Sequence, residues 1–183
     1  MAGILLSSES FVKSVTSVSD NLSGKYILPS LREAQEVGLK GIIGDALLAK
    51  LKNLVLDKSV NDPDNARYKE LIDRCQYYLA YVTIVEVTNK TSFKIGNFGV
   101  SKSTDENMQV ATQDEIAKMQ YYYQSKADAC CLDLQNWLME NKTSFPELNE
   151  CDCRRIQSNL HSAATCGIFL GGARGKIKRR CRR

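Results

Sequence analysis

Apolar residues recur at helical spacing in the segment that precedes Phe145-Pro146. At its start, Thr112 and Glu115 have the spacing of a capping box, in which each side chain bonds the other residue's backbone N–H. The pattern therefore predicts a long helix that begins after Thr112 and ends near Asn141. Its predicted buried stripe advances in steps of three or four residues and consists of Ile116, Met119, Tyr123, Ala127, Cys130, Leu134 and Trp137.

A second long helix is predicted over residues 65–88, after a loop at Asn61 to Asp64. Its second half, Tyr81 to Val87, is rich in β-branched residues, so a strand is an open alternative there. The helical reading places one apolar stripe on this segment. The stripe consists of Leu71, Cys75, Tyr78, Val82 and Val85.

The N-terminal half predicts two shorter helices. Pro29 suits a first helical turn, where its missing N–H costs nothing, and this predicts a helix over 28–38. Residues 1–20 show no clear period and are predicted to form an N-terminal arm. Asp45 begins the next helix, whose apolar face consists of Leu47, Leu48, Leu51, Leu54 and Val55.

Residues 93–110 differ in kind from the helices. Phe93 to Ile95 alternates between apolar and polar positions, Gly96-Asn97 is a turn pair, and Met108 to Val110 alternates again. This pattern predicts a β-hairpin or β-loop between the two long helices.

Together these elements predict a mainly α protein, with a four-helix core, a β-hairpin insertion between the two long helices and an extended C-terminal arm. The predicted divisions are an arm at 1–20, a helical domain at 21–146 and a C-terminal arm at 147–183 that ends in a basic tail at 174–183.

The composition is that of a globular protein, with 43% hydrophobic and 25% charged residues among 183. No apolar run approaches the ~20 residues that a bilayer span needs, so we expect no membrane contact and a chain that stays in the cytoplasm where it is made. Seven cysteines, an odd number with two of them adjacent at Cys130-Cys131, are read as reduced thiols.

Positive charge is concentrated at the C-terminus. Without the tail, 18 basic residues stand against 21 acidic ones, so the body carries a net charge of −3. This asymmetry predicts a polyanionic partner for the tail, either nucleic acid or an acidic protein surface. The seven cations of the last ten residues are Arg174, Lys176, Lys178, Arg179, Arg180, Arg182 and Arg183.

The sequence offers little catalytic chemistry. His161 is the only histidine, and we recognise no nucleophile, zinc-protease or dinucleotide motif. Gly175-Lys176 resembles the end of a phosphate loop, but Leu170 replaces its first glycine and Ile177 replaces its magnesium-binding hydroxyl. We therefore expect no enzyme and no cofactor.

Two further clusters have ordinary explanations. Cys151, Cys153, His161 and Cys166 carry zinc-ligand types, but the spacing is unlike zinc knuckles and reduced thiols are the simpler reading. Tyr121-Tyr122-Tyr123, with Trp137, have the aromatic side chains that a base-stacking platform would need. A role in the core or at a subunit interface is favoured, because Tyr123 and Trp137 fall on the buried stripe.

Over residues 20–150 the order of elements resembles the head–tail connector (adaptor) proteins of tailed bacteriophages, and especially the neck-ring proteins of crAss-like phages and related prophages. The segments that carry the resemblance are Tyr26-Ile27-Leu28-Pro29, the tyrosine-bearing helix 68–87, Ile95-Gly96-Asn97-Phe98-Gly99-Val100 and Trp137 to Asn141 with Phe145-Pro146. The cysteine-rich, basic region from Cys151 onwards departs from that pattern.

The resemblance implies a virion component that assembles beneath the portal as a ring, commonly dodecameric, extends the DNA channel and docks adjacent neck or tail proteins. It also implies that a terminal segment adds to the portal. Here that segment would be Thr165 to Leu170, where Ile168, Phe169 and Leu170 could pair as an added strand. The basic tail would then contact portal carboxylates or packaged DNA, and residues 93–110 would face a neighbouring subunit or the lumen.

The residues themselves leave other functions open. Two long helices with one apolar stripe each make a thin bundle, which a neighbour in a closed ring could cover or which could pack on itself as a monomer. The main alternative is a small cytosolic nucleic-acid-binding protein that acts through its basic tail. A zinc-bound regulatory module built on the cysteine and histidine cluster is a third.

Overall fold

The computed structural model describes residues 3–96, 99–102, 112–148 and 156, and over 92–102 it describes the backbone alone. These residues are mainly helical. The α-helices are α1 Glu9–Val15, α2 Gly24–Glu33, α3 Lys40–Ile43, α4 Asp45–Leu56, α5 Ala66–Ser92 and α6 Gln113–Glu140. A π-helical segment, Ala34–Leu39, joins α2 to α3, and short 3-10 turns occupy Pro63–Asn65 and Lys142–Ser144.

Helix α2, the π-helical segment and α3 form one continuous rod from Gly24 to Ile43, longer than the helix predicted over 28–38. Tyr78 packs directly on Gly38 of this rod, where a Cβ would lie 2.7 Å from the Tyr78 hydroxyl. This close contact favours glycine at the position. Gly44 ends the rod with a φ of 88°, a backbone conformation that glycine adopts without strain. Helix α4 begins at Asp45, as predicted.

Helices α5 and α6 run antiparallel and make the most extensive helix pair. Arg74 of α5 bonds Asp133 of α6, whereas Asn89, further along α5, bonds Gln120, nearer the start of α6. Helix α5 also packs against α1, α2 and the π-helical segment, so it lies at the centre of the bundle. The fully buried side chains of the α5–α6 pair include Leu71, Leu79, Ile84, Leu134 and Leu138.

This central position explains why the single stripe predicted on α5 was incomplete. Tyr78, Val82 and Val85 are only partly buried. A helix contacted on several sides buries more than one narrow stripe. The strand alternative for Tyr81 to Val87 was wrong, because the segment is helical throughout. The buried positions are Leu71, Ile72, Cys75, Leu79, Ala80, Thr83, Ile84 and Val87.

On α6 the capping box is confirmed. The Thr112 hydroxyl accepts from the Glu115 N–H at 3.3 Å, and the Thr112 N–H donates to the Glu115 carboxylate at 2.8 Å. The bond from the Thr112 N–H, together with a second bond from the Thr112 hydroxyl to the same carboxylate, lowers the pKa of Glu115. Tyr123, Ala127, Leu134 and Trp137 are buried as predicted, whereas Met119 is exposed.

The predicted fold class was right in being mainly α but wrong in its architecture. Residues 9–15, expected within an arm, form α1 and bury Val12 completely, so the core holds more than four helices. Among the described residues between α5 and α6, Phe93–Gly96 and Gly99–Lys102 pair as antiparallel strands, with Phe93 opposite Lys102. With four paired residues on each strand, this pair of strands adds no sheet to the helical core. The β-hairpin insertion predicted over 93–110 is therefore not a component of the fold. Residues 103–110 lie outside the described residues.

After α6 the chain packs back on the bundle. Phe145 is buried, with its ring 5.4 Å from that of Tyr68 and 5.6 Å from that of Trp137. Tyr68 donates its hydroxyl to the Glu147 carboxylate at 3.0 Å. Of the predicted C-terminal arm 147–183, the described residues include only 147, 148 and the fully buried Ile156. No helix among the described residues has the length and apolar content needed to cross a membrane.

The α5–α6 contact predicts different costs for one substitution at two positions of α6. Leu134 is 1% exposed and Leu132 is 38% exposed. Leu134→Ala leaves a cavity between the helices and should lower the free energy of unfolding by about 2–5 kcal/mol. Leu132→Ala, the matched control, should lower it by about 1 kcal/mol or less. Urea denaturation measures both, and equal losses would contradict the assigned facing of α6.

The Tyr68–Glu147 bond predicts a pH dependence in alkali. Burial, together with the hydrogen bond to Glu147, raises the pKa of Tyr68 to about 12, from 10.0. The folded state therefore holds the phenol proton more tightly than the unfolded state, and this contribution to stability is complete below pH 10 and lost as the pH rises to 12. Tyr68→Phe should make the free energy of unfolding fall less steeply over that range.

Denaturation curves at several pH values between 10 and 12 check this expectation. Tyr121→Phe is the matched control for removal of a phenol hydroxyl from the surface. An identical pH profile for Tyr68→Phe and the wild-type protein would show that Tyr68 does not contribute in this way.

Candidate interaction surface

Every site residue predicted from the sequence lies outside the described residues. These residues are those of the predicted docking strand, the basic tail and the candidate zinc ligands. Its members are Ile168, Phe169, Leu170, Arg174, Lys176, Lys178, Arg179, Arg180, Arg182 and Arg183, with Cys151, Cys153, His161 and Cys166. Among the described residues, no three histidine, cysteine or acidic side chains are arranged to hold a metal ion.

What the structure does place is an exposed apolar surface on α6. Tyr121 is 78% exposed and Tyr122 is 53% exposed, and Met119 and Leu132 are also exposed. Across the adjacent groove, Tyr77 of α5 is exposed as well. Large apolar side chains on one helix of a bundle are typical of a surface that contacts another protein.

The three consecutive tyrosines have different roles. Tyr123 is buried, and its hydroxyl is 2.6 Å from the Ser17 hydroxyl and accepts from the Ser17 N–H at 3.0 Å, which ties α6 to the loop after α1. The Tyr122 ring packs edge-on against Tyr123 with centroids 5.2 Å apart. Tyr121 makes no such ring contact with the described residues and points to solvent. The expected core position of Tyr123 is therefore confirmed.

A cation covers the edge of this aromatic group. The Lys126 ammonium lies 4.5 Å from the Tyr122 ring centroid and 5.3 Å from that of Tyr81. A hydrogen bond to Tyr122 raises the pKa of Lys126, so the ammonium stays charged at any physiological pH. A cation–π contact at an exposed site is a weak but favourable interaction.

Further along the same side of α6, an open groove of about 530 Å³ lies between α5 and α6. Tyr77, Ala129 and Cys130 supply its apolar lining, and Glu70, Asp73 and Asp133 surround it with carboxylates.

Arg74 organises the groove. Its guanidinium donates to Asp133 at 2.8 Å and to Glu70 at 3.4 Å, and it lies 5.0 Å from the centroid of the Trp137 ring. One cation thus compensates carboxylates from both helices while it covers a buried aromatic ring. The side chain serves to hold α5 against α6, and only Asp73 among the lining carboxylates makes no ion pair with a described residue.

The cysteines of this region are not activated. Burial raises the pKa of the Cys75 thiol. Burial and, next, Asp133 raise the pKa of Cys130, while burial and Asp128 raise that of Cys131. These thiols are protonated at neutral pH, and a protonated thiol is a poor nucleophile. The cysteines near this surface are therefore not poised for nucleophilic attack.

Sequence reasoning identified the tyrosines but missed the groove. Tyr121 and Tyr122 were expected to flank the stripe or face a neighbour, and their exposure agrees with either position. The groove depends on Arg74 of α5 and Asp133 of α6, which are 59 positions apart. Only the register between the two helices brings such residues together, and helical periodicity does not specify that register.

Comparison with known proteins adds a family. No curated protein and no solved structure matches the chain. A family model described as "Family of unknown function (DUF6712)" matches residues 39–158, which is more than half of the chain. The match includes α4, α5 and α6, and so the pair of helices that carries the candidate surface. The chain belongs to this family of unknown function, DUF6712.

Proposed function

We propose that this protein is a structural subunit of a phage virion rather than an enzyme. Its copies form a ring, dodecameric in the simplest case, that connects the portal to the tail and extends the DNA channel. The proposal joins the sequence resemblance to connector proteins with the exposed surface of α6.

The observation that carries the proposal is the exposure of large apolar side chains on α6. Helix α6 packs chiefly on α5, and its outer side carries Tyr121 and Leu132 towards solvent. Covering such side chains with another protein releases ordered water and is favourable by about 25 cal/mol for each Å² of apolar area. In the proposed ring, a neighbouring copy covers these apolar side chains on every subunit.

The rigid core supports this role. A helix that is 28 residues long is about 42 Å in length, so α6 offers a straight edge to a neighbour. Arg74 and the buried leucines hold that edge against α5 in every copy. A fixed edge reduces the conformational entropy lost when copies associate.

The C-terminal segment supplies the proposed attachment to the portal. Residues 168–170 would add to a portal strand through main-chain hydrogen bonds, and the basic tail 174–183 would contact portal carboxylates or packaged DNA. The body has a net charge of −3, so the tail is the part of the chain suited to an anionic partner.

The same charge asymmetry favours a second candidate, a nucleic-acid-binding protein whose tail does the binding. Seven cations in the last ten residues could neutralise seven phosphates. In that case the tail, and not the surface of α6, would carry the function.

Assembly tests the first candidate. Native mass spectrometry or mass photometry of the purified chain, alone and with portal protein, should detect closed oligomers. Tyr121→Ser combined with Tyr122→Ser should shift the population to monomers by at least about tenfold in concentration, because it removes apolar area from the contact. Leu56→Ser, at an exposed leucine of α4, is the control for loss of an exposed apolar side chain elsewhere.

A chain that stays monomeric at all concentrations, with and without portal protein, would refute the ring. Circular dichroism of each variant checks that the helices are retained.

Replacement of all seven tail cations with glutamine separates the two candidates. A connector should keep its ring and its fold but dock more weakly to the portal. A nucleic-acid-binding protein should lose DNA affinity altogether, and its wild-type form should show a slope of about −6 when log affinity is plotted against log salt concentration. Fluorescence anisotropy with a DNA duplex of random sequence measures that slope.

A further inference from the structure

A basic and apolar stripe lies on the exposed side of α2. Lys25, Leu28 and Arg32 are spaced by three and four residues, which puts them on one face of the helix. All three are exposed, and Leu28 is 41% exposed. Lys25 and Arg32 form no ion pair with any residue that the structure describes. The stripe therefore presents two uncompensated cations around an exposed leucine.

A second stripe, which carries a negative charge instead of positive ones, lies on α6. Tyr121, Asp128 and Leu132 are spaced by seven and four residues and share the outer face of the helix over about 16 Å. Asp128 accepts a hydrogen bond from Gln124 at 2.8 Å but makes no ion pair within the described part of the chain. This stripe presents an uncompensated carboxylate between two exposed apolar side chains.

The neighbouring charges are different, because partners within the chain compensate them. Glu33 of the rod is 2.6 Å from Lys90, and Lys40 is 2.8 Å from Asp45. On the other side of the bundle, Asp133 is 2.8 Å from Arg74. Charge that remains for an external partner thus includes the cations on α2 and Asp128 on α6.

The net charges of α6 and of the rod that contains α2 also differ in sign. Helix α6 contains five acidic and two basic residues, whereas the rod from Gly24 to Ile43 contains three basic and two acidic residues. The two elements thus carry net charges of opposite sign. Surfaces of opposite sign attract each other during encounter and select the orientation in which they meet.

We propose that the α6 stripe of one copy docks on the α2 stripe of the next. Asp128 would pair with Arg32 or Lys25, while Tyr121 and Leu132 would cover Leu28. The contact joins two different surfaces, so it is heterologous, and such contacts build closed rings or open filaments instead of two-fold dimers. This inference rests on the proposed ring and specifies the surfaces that form it.

Charge reversal tests the pairing in the full-length chain. Arg32→Glu and Asp128→Lys, made separately, should each weaken self-association by about tenfold or more, because each places like charges opposite one another. An equimolar mixture of the two variants should recover assembly, since each reversed surface then meets its complement. The chain that carries both reversals should assemble by itself. Sedimentation velocity measures the size distribution in each sample.

The controls carry the same charge changes at exposed positions outside both stripes. Lys69→Glu matches Arg32→Glu, and Asp57→Lys matches Asp128→Lys. Both control variants should assemble as the wild-type chain does. Thermal unfolding monitored by circular dichroism confirms that all five variants are folded.

The outcomes separate the interface from the ring. If the wild-type chain assembles but the reversals have no effect, or the mixture does not recover assembly, the proposed pairing is wrong and the ring is not. If only Asp128→Lys weakens assembly and the mixture shows no recovery, α6 meets a surface other than α2 and the pairing is again overturned. A wild-type chain that remains monomeric removes both proposals.

Discussion

The burial of α5 is the constraint on which the other contacts depend. Helices α1, α2 and α6 each pack on this 27-residue helix, and its interior positions are filled by side chains such as Leu71, Leu79 and Ile84. Because α5 supplies one surface to α2 and another to α6, it fixes both elements without extensive contact between them. The outer faces of α2 and α6 therefore remain exposed, which is the condition for a chain that can contact a neighbour on two sides.

Helical periodicity predicted most of the helices, but it did not predict how many neighbouring helices contact each one. The start of α6 at Thr112 and its inner residues Tyr123 and Trp137 follow from the capping box and from the apolar spacing. The start of α4 at Asp45 follows from the sequence in the same way. On α5 the prediction described one stripe, because periodicity in a single helix shows that a face is apolar but not how many neighbours contact it. Residues 9–15 were missed as a helix because a segment of two turns has too few apolar positions to establish a period.

The candidate surface depends on tertiary register, which explains why the sequence indicated only part of it. Exposed tyrosines on α6 can be anticipated from their place beside a buried stripe. The groove around Arg74 cannot, because its residues come from helices whose relative position is fixed by packing of Leu134 and Leu138 against α5. The β-hairpin prediction was wrong for a related reason. Alternation and a turn pair show that two short strands are locally compatible, but a pair of strands with four residues each adds no sheet to the helical core.

The distribution of charge gives the two proposals a common physical basis. Internal ion pairs such as Arg74–Asp133 and Lys90–Glu33 bind helix to helix and contribute no attraction at the surface, because each charge is already matched. Arg32 and Asp128 are exposed and form no ion pair with a described residue, so an oppositely charged external partner would improve their electrostatic energy. The proposed contact of the tail with a polyanion has the same electrostatic basis, because seven of the last ten residues are cations whereas the rest of the chain has a net charge of −3. In the two proposals, copies of the chain therefore meet through the charges on α2 and α6 that are left without an ion pair among the described residues, and the cationic terminus meets an anionic partner.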